Sequence, residues 1–165
     1  MAVAIQTQGI LLKVIFMQVI KGKITDNLGY QVGGTIYYYY PGWESTGYET
    51  FLGLSYKELT VTAQTLLNNV TFGNKGDTYF LATYAPALPA GFTGKAQLGA
   101  YYYGDDDEFT AKTENTFAFR HATLGLSHAL GTTGANWSLD YILGGYDRTE
   151  IKQKNKVVLG LAYAF

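Results

Sequence analysis

The chain has no cysteine. Disulfide frameworks, thiolate-held zinc, iron–sulfur clusters and thiol nucleophiles are therefore excluded. No run of about 18 uninterrupted apolar residues exists, so no membrane-spanning helix can be drawn, and any passage through lipid would be made by strands. Charge is scarce as well: Lys+Arg 12 and Asp+Glu 13 make 15% of the 165 residues, against about 25% in ordinary soluble domains. The net charge of −1 gives no electrostatic reason to expect nucleic acid or an anionic surface as partner, because such partners are held by clustered Lys and Arg.

Aromatic and apolar residues are abundant by contrast. Hydrophobic residues reach 47%, and 15 Tyr, 9 Phe and 2 Trp are present. That content excludes disorder, and the length suits one domain. From residue 28 onward the recurring pattern is alternation with period two, the signature of a strand with two different faces. In Lys156–Phe165 the odd positions Val157, Leu159, Leu161, Tyr163 and Phe165 are large and apolar, whereas Gly160, Ala162 and Ala164 are small. Similar alternation sets Trp137, Leu139, Tyr141 and Leu143 against Ser138, Asp140 and Gly144, with Ile142 as an exception. It recurs in 94–103, 59–64, 48–56 and 30–40. Asp77–Pro86 has no clean parity, and Thr116–Leu130 changes parity between Phe119 and Leu124, which predicts a β-bulge near Arg120–Ala122. Eight strands follow residue 28, and a ninth is counted if the preceding segment joins them.

The smaller face of these strands holds Gly, Ser, Thr and Gln with the isolated charges Glu49, Lys95, Arg120 and Asp140. A soluble sandwich would carry many more charges outside. The pattern predicts an all-β, antiparallel, up-and-down transmembrane β-barrel, with the apolar face toward acyl chains and the four charges as pore-lining candidates. Alternating the strand direction sorts the aromatics into two belts, as headgroup-level rings require. One belt collects Tyr38, Tyr40, Trp43, Tyr48, Tyr79, Tyr102, Phe117 and Tyr146; the other collects Tyr30, Tyr56, Tyr84, Phe92, Trp137, Tyr163 and Phe165. Short turns fall at the second end and longer, more charged loops at the first.

Leu159, Leu161, Tyr163 and the final Phe165 resemble the C-terminal signal by which bacterial outer-membrane barrels are recognised for insertion. The stretches GGTIYYYYPG (Gly33–Gly42), ETFLGLSY (Glu49–Tyr56) and GDTYFLATY (Gly76–Tyr84) resemble the proteobacterial TorF-type porin family, first described as conserved hypothetical outer-membrane proteins. The resemblance runs from about residue 22 to the end. It implies a pore-forming barrel of about twelve strands in the outer membrane of a Gram-negative cell, preceded by a signal peptide. It brings no catalytic residues. Implied partners are outer-membrane lipid and lipopolysaccharide, the barrel-assembly machinery, and small polar solutes or ions, with an oligomer as an open possibility.

The N-terminus departs from that pattern. Ile10–Ile20 (ILLKVIFMQVI) is apolar without period-two order and is interrupted by Lys13 and Gln18, so it makes a poor signal peptide. Residues 1–23 are accordingly set apart from the strands and loops of 24–165, as a degraded strand or a frameshift product. With nine strands the sheet would be an incomplete barrel, open at two edges.

Other constellations point to little chemistry. Asp105, Asp106, Asp107 and Glu108 concentrate oxygen ligands in one loop suited to a hard cation, but without EF-hand spacing; a solvated loop explains them as well. His121 and His128 fall on opposite faces of a regular strand, as do Ser127 and His128, so neither a metal site nor a serine nucleophile is expected. No cofactor and no enzymatic activity are expected. Passive diffusion of small polar solutes is the leading expectation. A non-channel barrel with its lumen filled by Tyr37, Tyr39, Tyr101 and the four charges is the first alternative, and a secreted, self-associating β-protein the second.

Overall fold

The computed structural model describes residues 2–8, 11–40, 45–71, 73–104 and 113–163, with side chains from residue 13 onward. Among the described residues the regular structure is almost wholly strand: β1 (Ala2–Gln8), β2 (Leu11–Lys23), β3 (Leu28–Tyr40), β4 (Gly47–Tyr56), β5 (Leu59–Leu66), β6 (Thr78–Tyr84), β7 (Phe92–Tyr102), β8 (Phe117–Ala129), β9 (Ala135–Gly144) and β10 (Lys156–Tyr163). They form one sheet in which neighbours in space are neighbours in sequence, from β1 to β10. Every pairing is antiparallel. The meander is open, with β1 and β10 as its edges.

Residues from strands far apart line a common cleft: Lys13 of β2, Glu49 of β4, Tyr101 of β7 and Arg120 of β8 surround about 460 Å³. Strands spaced about 4.8 Å apart would put β2 and β8 roughly 29 Å apart in a flat sheet. The sheet therefore curls, and the face that shares the cleft is the inner one.

The strand count is one above the nine read from the sequence. The segment judged to have no two faces is β2, paired along its length with β3 from Leu12↔Tyr40 to Lys23↔Gly29. Phe16, Gln18 and Ile20 are exposed on the outer face, while Lys13, Met17 and Val19 are half-buried on the inner. Alternation is hidden there because Ile15, Met17 and Val19 make the inner positions apolar too. β6 is likewise a regular strand within Asp77–Pro86: Phe80 and Tyr84 are exposed on one side, and Tyr79 and Leu81 lie on the other. Leu81 at an inner position is what blurred its parity. The bulge in β8 falls where the parity change predicted it, because Gly99 pairs with His121 and Ala100 with Phe119, leaving Arg120 as the extra residue.

At one end the connections after β2, β4, β6 and β8 have four, two, seven and five residues, and in the two-residue turn Lys57–Glu58 Lys57 takes a left-handed φ of 51°. At the other end the links after β5, β7 and β9, with eleven, fourteen and eleven residues, are longer, in line with a sequence pattern in which most loops at this end are long; the link after β3 has six residues and that between β1 and β2 has two.

Candidate functional site

The register sorts the strand residues by face. All the Lys, Arg, Asp and Glu on strands, namely Lys13, Lys21, Lys23, Glu49, Lys95, Arg120, Asp140 and Lys156, lie on the inner side. The outer side carries none, and apart from a few neutral polar residues such as Gln18, Thr50 and His128 its side chains are apolar or aromatic, with Tyr30, Ile36, Leu52, Leu54, Val61, Leu98 and Leu124 exposed. On the edge strand β10, Leu159, Leu161 and Tyr163 follow this rule with 77%, 75% and 63% exposure. Phe165, Trp43 and the acidic run Asp105, Asp106, Asp107 and Glu108 lie outside the described residues. The inner face is thus the one with chemistry, and the buried core is small and sits at its long-loop end, around Phe51, Leu66, Val70, Tyr103 and Ala118.

The four inner charges singled out from sequence are not one ring. Lys95 and Asp140 form an ion pair at 2.6 Å across β7 and β9, with Gly125 of the intervening β8 as the spacer. A Cβ at Gly125 would stand 1.9 Å from Asp140 Oδ1, so the absence of a side chain there lets the pair cross in its present position. Asp140 Oδ1 itself is buried without a hydrogen-bond partner. Glu49 is held differently, accepting a hydrogen bond from the Tyr37 hydroxyl at 3.0 Å. Arg120 is brought inward beside His121 by the bulge, a placement that two consecutive residues of a regular strand cannot share. Its Nη1 is buried without a hydrogen-bond partner. Arg120 lines two inner hollows, the 460 Å³ cleft toward the long loops and a second of about 340 Å³ between β7 and β10.

Aromatic rings fill much of the space between these charges. Tyr79 was placed in an outer belt from sequence, but it faces inward, where its hydroxyl meets His121 Nε2 at 2.6 Å. Tyr79 packs on Tyr101 with ring centres 5.0 Å apart, and Tyr101 stacks on Tyr103 at 4.9 Å. Lys13 sits over the rings of Tyr37 and Tyr39 at 5.3 and 5.5 Å, an arrangement in which the cation is attracted to the ring faces. In the sequence Lys13 interrupts an apolar run. Its pairing with Tyr39 makes it an inner residue, which the alternation of β3 could have indicated once the register was known.

Sequence reasoning also missed the junction that ties the long loops together. Asp77, 7% exposed, binds the Arg148 guanidinium. The same carboxylate accepts the backbone N–H of Asn74 at 2.9 Å and of Gly104 at 2.8 Å. Arg148 stacks over Tyr103 at 4.9 Å, and its carbonyl accepts the N–H groups of Glu114 and Asn115. Three loops, after β5, β7 and β9, thereby meet at one buried ion pair. Burial pushes the Tyr103 hydroxyl above its ordinary range, while the nearby Arg120 and Arg148 pull it back. Next to Arg148, Asp147 is affected by burial, which raises it, but hydrogen bonds from Thr149 and Ile151 and the charge of Arg120 leave its carboxyl below the usual range.

The two histidines do lie on opposite faces: His121 is inside, whereas His128 packs against Phe92 at 4.6 Å and reaches the carbonyl of Ala90. Among the described residues, no group of three His, Asp or Glu could hold a metal ion. Comparison with known families, with curated proteins and with solved structures finds no match. The class that geometry defines is an all-β, open antiparallel meander, curled around a charged inner face and uncharged outside.

Proposed function

We propose that this chain forms the wall of an outer-membrane β-barrel of the TorF-type porin kind, and that small polar solutes diffuse passively along its inner face. The observation that carries this reading is the distribution of charge. Eight ionisable Lys, Arg, Asp and Glu side chains on the strands share the inner face, and the outer face has none while exposing a broad apolar band. In water such a face would be an association hazard, whereas in a bilayer it is the face that lipid solvates. Outward Tyr30, Tyr56 and Tyr84 at the tight-turn end, with Tyr38, Tyr40, Tyr48 and Tyr102 at the other, support two headgroup-level belts. A closed barrel needs partners for the β1 and β10 edges, from further strands or from another copy.

Leu98→Arg tests the reading. Leu98 lies near the middle of β7, is 61% exposed and faces outward. At such a position an Arg costs about 2–4 kcal/mol in the bilayer midplane. On a water-facing surface the same change stays within about 0.5 kcal/mol. Folding into lipid vesicles, followed by the heat-dependent shift in gel mobility, separates the two, and an unaffected Leu98→Arg would overturn the membrane reading.

A non-channel barrel is the second reading, favoured by the Tyr37–Glu49 bond and the Tyr79–Tyr101–Tyr103 stack, which occupy the inner face near the long loops. Planar-bilayer conductance decides between them: current from folded protein supports diffusion, and silence supports the filled lumen.

A further inference from the structure

We infer that the hollow between β7 and β10 is an anion site, and that the solutes this face serves best are small oxyanions such as phosphate or carboxylates; the second half of this inference rests on the diffusion reading above. The hollow is lined by Lys95, Arg120, Lys154 and Lys156, with Asp140 as the one carboxylate among its lining residues. Asp140 is engaged by Lys95 through Oδ2 at 2.6 Å, its Oδ1 remaining buried without a hydrogen-bond partner. Lys154 and Lys156 meet no further carboxylate in the hollow, and Arg120, whose charge also reaches Asp147 on the cleft side, adds a third cation.

Arg120 gives the site its direction. The bulge turns it inward, and its Nη1 is shut off from water with no hydrogen-bond partner. A buried donor without a partner is costly, and a small shift of the Arg120 side chain, which lines the hollow, would bring Nη1 to an acceptor-rich ligand there. Guanidinium and ammonium groups donate and cannot accept, so the occupant must bring acceptors. A planar or tetrahedral oxyanion matches both the charge and the fork of the guanidinium. The wider inner face has the same sign: on the strands six cations, Lys13, Lys21, Lys23, Lys95, Arg120 and Lys156, face two carboxylates, Glu49 and Asp140. Such a surface raises the local concentration of anions and shapes ion preference along it.

The test uses the full chain refolded in detergent micelles, with inorganic phosphate as the probe in calorimetric titration. Saturable binding is expected, weakened about tenfold or more in Arg120→Gln, as loss of a charge-assisted hydrogen bond implies. The double variant Lys154→Gln with Lys156→Gln changes two exposed side chains and should weaken binding without touching the fold. No saturable binding, or binding indifferent to both variants, overturns the site. Reversal potentials in a salt gradient across planar bilayers provide the separate readout. Anion preference that falls in both variants supports the whole inference. Phosphate binding with no conductance keeps the site and removes the diffusion reading. Conductance with cation preference and no phosphate binding removes the site and keeps the pore.

Discussion

Asp77→Ala should be among the more damaging single changes on this chain. Asp77 is buried in the long-loop junction and supplies acceptors to three donors: Asn74 N–H at 2.9 Å, Gly104 N–H at 2.8 Å and the Arg148 guanidinium. The Arg148 side chain is 11% exposed, so water does not readily replace the lost carboxylate. Removing one partner of a buried ion pair costs about 3–5 kcal/mol, against about 0–1 for an exposed pair. The expected loss lies at the upper of these ranges, because two backbone amides lose their acceptor together with the cation. Urea unfolding in micelles, followed by tryptophan fluorescence, reads the global part. Amide exchange at Asn74 and Gly104 reads any local opening of the loops. In a double-mutant cycle with Arg148→Met, the combined variant should be less damaging than the sum of the singles by about 2 kcal/mol. A single-variant loss below about 1 kcal/mol together with unchanged exchange at both amides would refute the reasoning, as would an additive cycle.

Gly125→Ala should cost about 1–3 kcal/mol through overpacking, since the new methyl would meet Asp140 Oδ1 at 1.9 Å and Lys95 Cε at 2.9 Å; thermal unfolding checks it, and a neutral result would mean that the ion pair is free to move aside. Asp147 accepts hydrogen bonds from Thr149 and Ile151 and from Gln153, and its carboxyl is lowered in the folded loop. Its stabilising effect is therefore complete above the ordinary carboxylate range and is lost as pH falls through its lowered folded value. Limited proteolysis of 145–155 should accelerate in acid for the wild type, and Asp147→Asn should cleave readily at all pH values.

The outer face was legible in the sequence because large apolar residues alternate with small ones along β3, β4, β7, β9 and β10, and a one-residue slip would invert every face. The bulge was legible for the same reason, as a break in that alternation around Arg120. Reading failed where both faces are apolar: Ile15, Met17 and Val19 hid the inner side of β2 and with it Lys13, and Leu81 hid that of β6. The mutual arrangement of the inner charges was not legible either, because it depends on which strands are neighbours and in what register. Lys95 meets Asp140 across 45 positions of sequence, and Asp77 meets Arg148 across 71. No local period carries that information.

The bulge in β8 has a consequence for insertion and deletion. Deleting an interior residue from a regular strand turns every side chain on one side of the cut to the opposite face; in β9, loss of Ser138 would send inward either Trp137 or the set Leu139, Tyr141 and Leu143. Arg120 is exempt. Without it, Phe119 and His121 become consecutive members of an ordinary ladder, Phe119 still outward and His121 still inward, as their present pairing with Ala100 and Gly99 already requires. One codon can thus add or remove a positive charge on the inner face while leaving the outer surface as it was.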